Sequence, residues 1–205
     1  MDSLPTVESS HSRTRERIIR AAMELFRRQG YHNTSLAQIL DRASITKGGF
    51  YFYFKSKEEL GLAALEFAKN FWNEHVLDAI AGEPAASARF RRMVEIMTQM
   101  NRGEIFHGCA LLAVLTAEMM ETESVFSDRI RSILAEWQQS LVEMLERGKK
   151  EGVFRKDMDS QALAYVLIGC CHGTTMIGHL DPQHANYDLL FHDLERWILE
   201  GIHAK

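Results

Sequence analysis

An all-α fold, with a small helix-turn-helix head followed by a larger helical body, is what three features of this sequence predict. Apolar residues recur at three- and four-residue spacing along most of the 205 residues, the pattern of amphipathic helices. Only 3 prolines interrupt a chain rich in Leu, Ala, Met, Glu and Arg, all of which favour helix over sheet. Capping residues and glycines stand where the periodic segments should start and stop.

Taken in order, residues 1–12 are polar and read as a disordered arm. A first helix is predicted over Arg13–Arg28, where Ile18, Ala22, Leu25 and Phe26 form one apolar stripe. Arg13, Arg17, Arg20, Arg27 and Arg28 occupy much of its remaining surface, and Gly30 ends it. Ser35 stands three residues before Gln38, the spacing of a capping box. Leu36, Ile39 and Leu40 give this second helix an apolar side as far as about Arg42. Ala43-Ser44-Ile45 is a short connector, after which Thr46 can cap a third helix. That third segment is locally ambiguous. Five consecutive aromatics, Phe50–Phe54, and two glycines favour a strand. Each glycine also costs a helix about 1 kcal/mol against alanine. Context decides for a helix at 46–53, because a strand would have no partner in a helical chain. Ser56 and Glu59 form a further capping box that opens a long helix toward Ile80. Gly82-Glu83-Pro84 is a break, followed by amphipathic or apolar segments at about 86–102, 106–120, 124–151, 159–179 and 186–201. The predicted organisation is an arm at 1–12, a helix-turn-helix domain at 13–57 and a helical domain at 58–205.

Charge is distributed unevenly. The net charge of −4 combines a basic head, with 10 Lys/Arg against 3 Asp/Glu from His11 to Lys57, and an acidic remainder. A basic head suits a polyanion, although a solvated basic helix face has the same composition. Several classes are disfavoured. No apolar run reaches the roughly 20 residues of a membrane span, and residues 1–12 lack the apolar segment of a signal peptide, so a cytoplasmic location is expected. Cys109, Cys170 and Cys171 are an odd set without disulfide-framework or zinc spacing. Cys170-Cys171-His172 is read as packing, since adjacent helical residues point about 100° apart. No metal and no cofactor are expected. An enzyme is disfavoured, because no nucleophile–base pair or phosphate loop stands out.

Two short helices behind a basic first helix are what a major-groove reader of double-stranded DNA needs. The run from Thr34 to Leu40, and then the run Ala43-Ser44-Ile45-Thr46-Lys47-Gly48-Gly49-Phe50-Tyr51-Phe52-Tyr53-Phe54-Lys55-Ser56-Lys57-Glu58-Glu59-Leu60, resemble the N-terminal domain of the TetR family of transcriptional regulators. The resemblance covers about residues 13–65 and implies roles residue by residue. Thr46, Lys47 and Gly48 match the opening of the recognition helix, where side chains and backbone meet bases. Tyr51 matches a mid-helix aromatic that contacts DNA. Tyr53 offers a hydroxyl to phosphate, Lys57 matches a phosphate-binding lysine, and Ser35 matches a capping hydroxyl that touches the backbone. Phe52 and Gly49 depart from the family pattern. Phe52 would press on a thymine methyl or a sugar, and Gly49 removes a polar contact. Phe50 and Phe54 are read as core.

The resemblance further implies a homodimer on a near-palindromic operator. It also implies release by a small-molecule effector, partly hydrophobic, which makes the function that of a ligand-responsive repressor. Leu134, Leu141 and Leu145 in segment 124–151, with Val166, Gly169 and Gly173 in segment 159–179, offer a dimer surface; internal core is the competing reading. Met97, Met100, Phe106, Cys109, Leu112 and Trp137 are candidates for the effector pocket, in a stretch rich in adaptable methionines. Three alternatives stay open: an electrophile or redox sensor acting through Cys109, an all-helical enzyme, and an architectural DNA binder without an effector.

Overall fold

A computed structural model describes residues 7–102, 108–120 and 124–202. Among them the chain forms ten α-helices and no strand. The first, α1 (Val7–Gln29), begins ahead of Arg13, so the residues expected as a disordered arm are helical from Val7 onward. The His11 ring supplies a reason, packing edge-on against Phe52 at 5.4 Å and Tyr53 at 6.2 Å. Gly30 ends the helix with φ +82, a left-handed conformation in which glycine carries no Cβ penalty.

Next comes α2 (Leu36–Ala43), capped as its sequence dictates: the Ser35 hydroxyl accepts from the Gln38 N–H, and the Gln38 side chain accepts from the Ser35 N–H at 2.8 Å. The following turn places Ser44 at φ 51, the sole non-glycine with positive φ among the described residues. Helix α3 (Lys47–Tyr53) follows, with the Thr46 hydroxyl accepting from Gly49 N–H at 3.1 Å. Its helical state has an energetic reason. Phe50 and Phe54, four residues apart, are fully buried, and burying each contributes about 1.5–3 kcal/mol. That outweighs the roughly 1 kcal/mol helix penalty of each glycine.

Helix α4 (Lys57–Trp72) starts at Ser56, whose hydroxyl accepts from Glu59 N–H at 3.0 Å. Glu59 differs from a simple capping box, since its carboxylate accepts from the N–H of Lys55 at 2.7 Å. After Trp72 the helix widens into a π-helical turn, Asn73–Leu77, and ends in the short α5 (Asp78–Ala81). The body continues with α6 (Ala86–Arg102), α7 (Gly108–Met119), α8 (Val125–Lys150), α9 (Ser160–Leu180) and α10 (Tyr187–Ile202). These bounds lie within a few residues of the periodic segments in the sequence.

One apolar cluster runs through head and body. Helix α7 packs against α1, α4, α8 and α9, while α8 pairs with α9 and α6 with α10. At the junction, Tyr31 stacks obliquely on Phe126 with centroids 4.7 Å apart. Gly61 permits that approach, because a Cβ there would lie 2.4 Å from Phe126 Cζ. No helix among the described residues is long and apolar enough to cross a membrane.

Candidate nucleic-acid interface and effector cavity

The outward face of α3 follows from the burial of Phe50 and Phe54. With those rings turned inward, Tyr51 is 50% exposed and Phe52 69% exposed, and Thr46, Lys47 and Gly48 lie on the surface. Nothing comes within 4 Å of a Cβ built on Gly48. A backbone segment this open at a helix start allows close approach of a base edge or phosphate. Tyr53 is different: it is half-buried, packed on the core and edged by His11. Ser35 is exposed at the α2 N-terminus, as expected. In the head, Arg13, Arg17, Lys47 and Lys55 are exposed and form no ion pair among the described residues, whereas Arg20, Arg28 and Arg42 pair with Glu16 or Glu24.

Lys57, which the resemblance implies on phosphate, is held within the chain: its ammonium donates to the carbonyls of Tyr31 at 2.9 Å and Thr34 at 2.8 Å, and sits 4.2 Å from the Tyr31 ring centroid. Two of its three donors are thus engaged within the chain. Burial lowers its pKa, and nearby Glu118 opposes that shift. The same α1–α2 loop is held from the other side. Glu118, at the end of α7, accepts from the backbone N–H groups of Tyr31 and His32, both at 2.6 Å. Neither link has a motif in the sequence, because both join side chains to backbone atoms distant along the chain.

Within the body, a cavity of about 30 Å³ lies between α4, α6, α8, α9 and α10, room for about one water. Met97 and Trp137, two of the pocket candidates, line it together with Trp72, Phe90, Met93, Leu141, Cys171, His172 and Phe191, among others. Met100 and Leu112 are buried but lie outside the lining, since their helix faces turn to other parts of the core. Phe106 and the Cys109 side chain lie outside the described residues. The indole Nε1 of Trp72, the indole Nε1 of Trp137 and Nε2 of His172 are buried with no hydrogen-bond partner among the described residues. A buried polar group left unpaired costs about 1–3 kcal/mol. Burial also pushes the His172 pKa down to about 4, so the ring is neutral at pH 7. The two indoles stack at 4.5 Å. Adjacent residues in the sequence, Cys171 and His172, were read only as packing; their shared cavity emerges when α9 is placed against α8.

The expected dimer residues divide. Leu141 and Leu145 are buried in the chain's own core, and Leu134 packs half-buried against it. For Leu141 and Leu145 that corrects the assignment, since a side chain enclosed within the protomer offers no surface to a partner; Leu134 keeps a partly exposed side chain. Val166 is exposed, and a Cβ on Gly169 or Gly173 would meet nothing within 4 Å. The same face of α9 exposes Met176, Ile177 and Leu180, and α10 adds Leu190 and Trp197.

Comparison with known proteins bears on this arrangement. Residues 18–64 match the model for bacterial regulatory proteins of the tetR family, and residues 86–192 match the tetracyclin repressor-like C-terminal domain. The transcriptional regulator AcuR of Cereibacter sphaeroides is 31% identical over 150 residues, covering 72% of this chain and 68% of its own. A TetR transcriptional regulator from Chloroflexus aurantiacus superposes with a TM-score of 0.84 at 23% identity, covering 96% of this chain and 99% of its own. A Saccharomonospora viridis regulator crystallised in complex with choline gives a TM-score of 0.80 at 23% identity, with coverage of 95% and 100%.

Proposed function

The chain belongs to the TetR family of bacterial transcriptional regulators, DNA-binding proteins and not enzymes, and from that premise we propose that it is a ligand-responsive repressor. It binds a near-palindromic operator as a homodimer and leaves it when a small molecule enters the cavity of the body. The observation that carries the DNA part is the exposed face of α3. Thr46, Lys47, Gly48 and Tyr51 read the major groove, Phe52 presses on a thymine methyl or sugar, and Lys47, Lys55, Arg13 and Arg17 meet phosphates. Ser35 adds a hydroxyl at the α2 N-terminus. Tyr53 and Lys57 act one step back by holding the face in place.

A single helix of this length reads few base pairs, so a two-fold pair of heads is needed for a specific site. The exposed apolar faces of α9 and α10, with Val166, Gly169 and Gly173, suit a four-helix contact across a dimer axis. A ligand switches such a dimer only by favouring one of two head spacings.

Selection of bound duplexes from a random pool, followed by footprinting, tests the reading. A palindromic consensus protected by a dimer supports it; binding without sequence preference overturns it. Tyr51→Ala should weaken binding to the selected operator more than to random DNA. Equal losses on both would remove Tyr51 from the reading residues.

A further inference from the structure

We propose that the body cavity takes a neutral, mostly apolar molecule bearing a carbonyl-type oxygen, which the indole N–H groups of Trp72 and Trp137, with His172, hold in place. The inference rests on the ligand-responsive reading above and names the chemistry of that site. Three observations lead to it.

Trp72 and Trp137 are only 7% and 4% exposed, and neither indole nitrogen has a partner among the described residues. An indole N–H can only donate, so an occupant that satisfies it must accept. Both rings and His172 border the same cavity. His172, whose Nε2 has no hydrogen-bond partner among the described residues and whose ring is neutral near pH 7, can complete the set as donor or acceptor.

The lining also excludes charge. Among the described residues no Lys, Arg, Asp or Glu borders the cavity. A carboxylate or an ammonium placed there would lose its hydration without gaining a counter-charge. That argues for ketone, ester, lactone or amide oxygens over carboxylates. Aromatic walls such as Trp72 and Trp137 could hold a quaternary ammonium through their faces, but such a ligand would leave both N–H groups unpaired. The rest of the lining is apolar, which sets the character of the remainder of the molecule.

The size of the cavity adds a mechanical consequence. At about 30 Å³ it is too small for a six-membered ring. An occupant must therefore move its walls, and Met93 and Met97 are the most adaptable of them. Occupation and a change in the helices that frame the cavity thus come together.

Calorimetric titration of the full-length protein with four probes tests the inference: acetophenone, the similarly shaped hydrocarbon ethylbenzene, benzoate and choline. Acetophenone should bind at least about tenfold more tightly than each of the others. Trp137→Phe, which keeps an aromatic ring and removes the donor, should weaken acetophenone about tenfold and leave ethylbenzene unchanged. Trp72→Phe should do the same, so the result does not depend on one variant folding well. Equal affinity for ethylbenzene, tighter binding of benzoate or choline, or no heat from acetophenone up to its solubility would each overturn the inference. Operator binding by the same preparation separates this failure from the broader one. A protein that holds its operator yet ignores acetophenone loses the ligand class proposed here and keeps its place as a DNA-binding regulator.

Discussion

Gly48→Ala should move stability and DNA binding in opposite directions. Gly48 is exposed in the first turn of α3, and a Cβ built on it meets nothing within 4 Å. The free protein therefore accommodates the methyl group without strain. Replacing glycine by alanine in a helix contributes about 0.5–1 kcal/mol, with the lower end suited to a first turn. For a chain of this size that corresponds to a Tm increase of about 1–4 °C. On DNA the methyl would stand where the backbone of α3 approaches the groove, and the helix would have to retreat. Loss of the contacts made by Thr46 and Lys47 in that retreat should weaken operator binding tenfold or more, a change of about 1.4 kcal/mol at the least. Thermal unfolding gives the first quantity and fluorescence anisotropy on the selected operator gives the second, with random duplex as reference. An operator affinity that stayed level, or rose with stability, would refute the close approach of Gly48 to DNA.

Further predictions concern the loop clamp and the cavity. Lys57→Met should reduce stability by about 1–3 kcal/mol in urea unfolding, because the Tyr31 and Thr34 carbonyls lose their donor. Its salt slope for DNA should barely change; a drop of about one unit with stability intact would return Lys57 to a phosphate. Glu118→Gln keeps the shape of the side chain but sets an amide NH₂ against one of two backbone donors. Stability should fall by about 1–3 kcal/mol and operator affinity with it; unchanged affinity would deny the clamp a role in placing the head. His172 predicts an acid limb. Its folded pKa of about 4 lies below the ordinary 6.5. Between these values the unfolded chain takes up a proton that the native ring refuses, so stability is complete above about pH 6.5 and is lost as pH falls toward 4. The loss is on the order of 3 kcal/mol. Urea unfolding at pH 7.5, 6 and 5 should show it in the parent and not in His172→Phe; parallel curves would count against it.

Much of this was legible in the sequence where the signal is local. Ser35 with Gln38, Thr46 before Gly49 and Ser56 before Glu59 marked helix starts that the structure retains. Periodicity placed the body helices within a few residues. The aromatic run at 50–54 was the hardest element, since its propensity points to strand. Only the burial of Phe50 and Phe54 against distant helices decides for helix, and that is a tertiary effect. The same limit holds for single residues. Leu134, Leu141 and Leu145 form an apolar stripe on α8, and periodicity alone cannot say whether such a stripe meets the protomer's own core or a partner. Lys57 looked like a free cation because its acceptors are backbone carbonyls, which carry no side-chain pattern. Trp72, His172 and Phe191 come from three different helices, so nothing in their spacing announces a common cavity.

Helix α4 joins the two ends of the proposed switch. Lys57, at its start, grips the loop between α1 and α2, while Trp72, at its end, borders the cavity. The 16 residues between those ends span about 24 Å as one rigid element. An occupant that shifts Trp72 therefore acts on a rod whose other end positions the recognition head. At the head–body junction Phe126 packs against Gly61 so closely that a Cβ there would lie 2.4 Å from its Cζ. Directly after Trp72 the chain is a π-helical turn, a geometry with weaker registry than an α-helix and a frequent companion of functional sites. Glu118 offers a second link, from α7 to the same loop. The two links make separable demands. If α4 carries the signal, Glu118→Gln weakens the operator complex yet preserves the fold-change on adding ligand. If α7 carries it, the fold-change itself collapses. Because coupling is a free-energy difference between two states, measuring the ligand's effect on operator affinity in parent and variant assigns it to one path or the other.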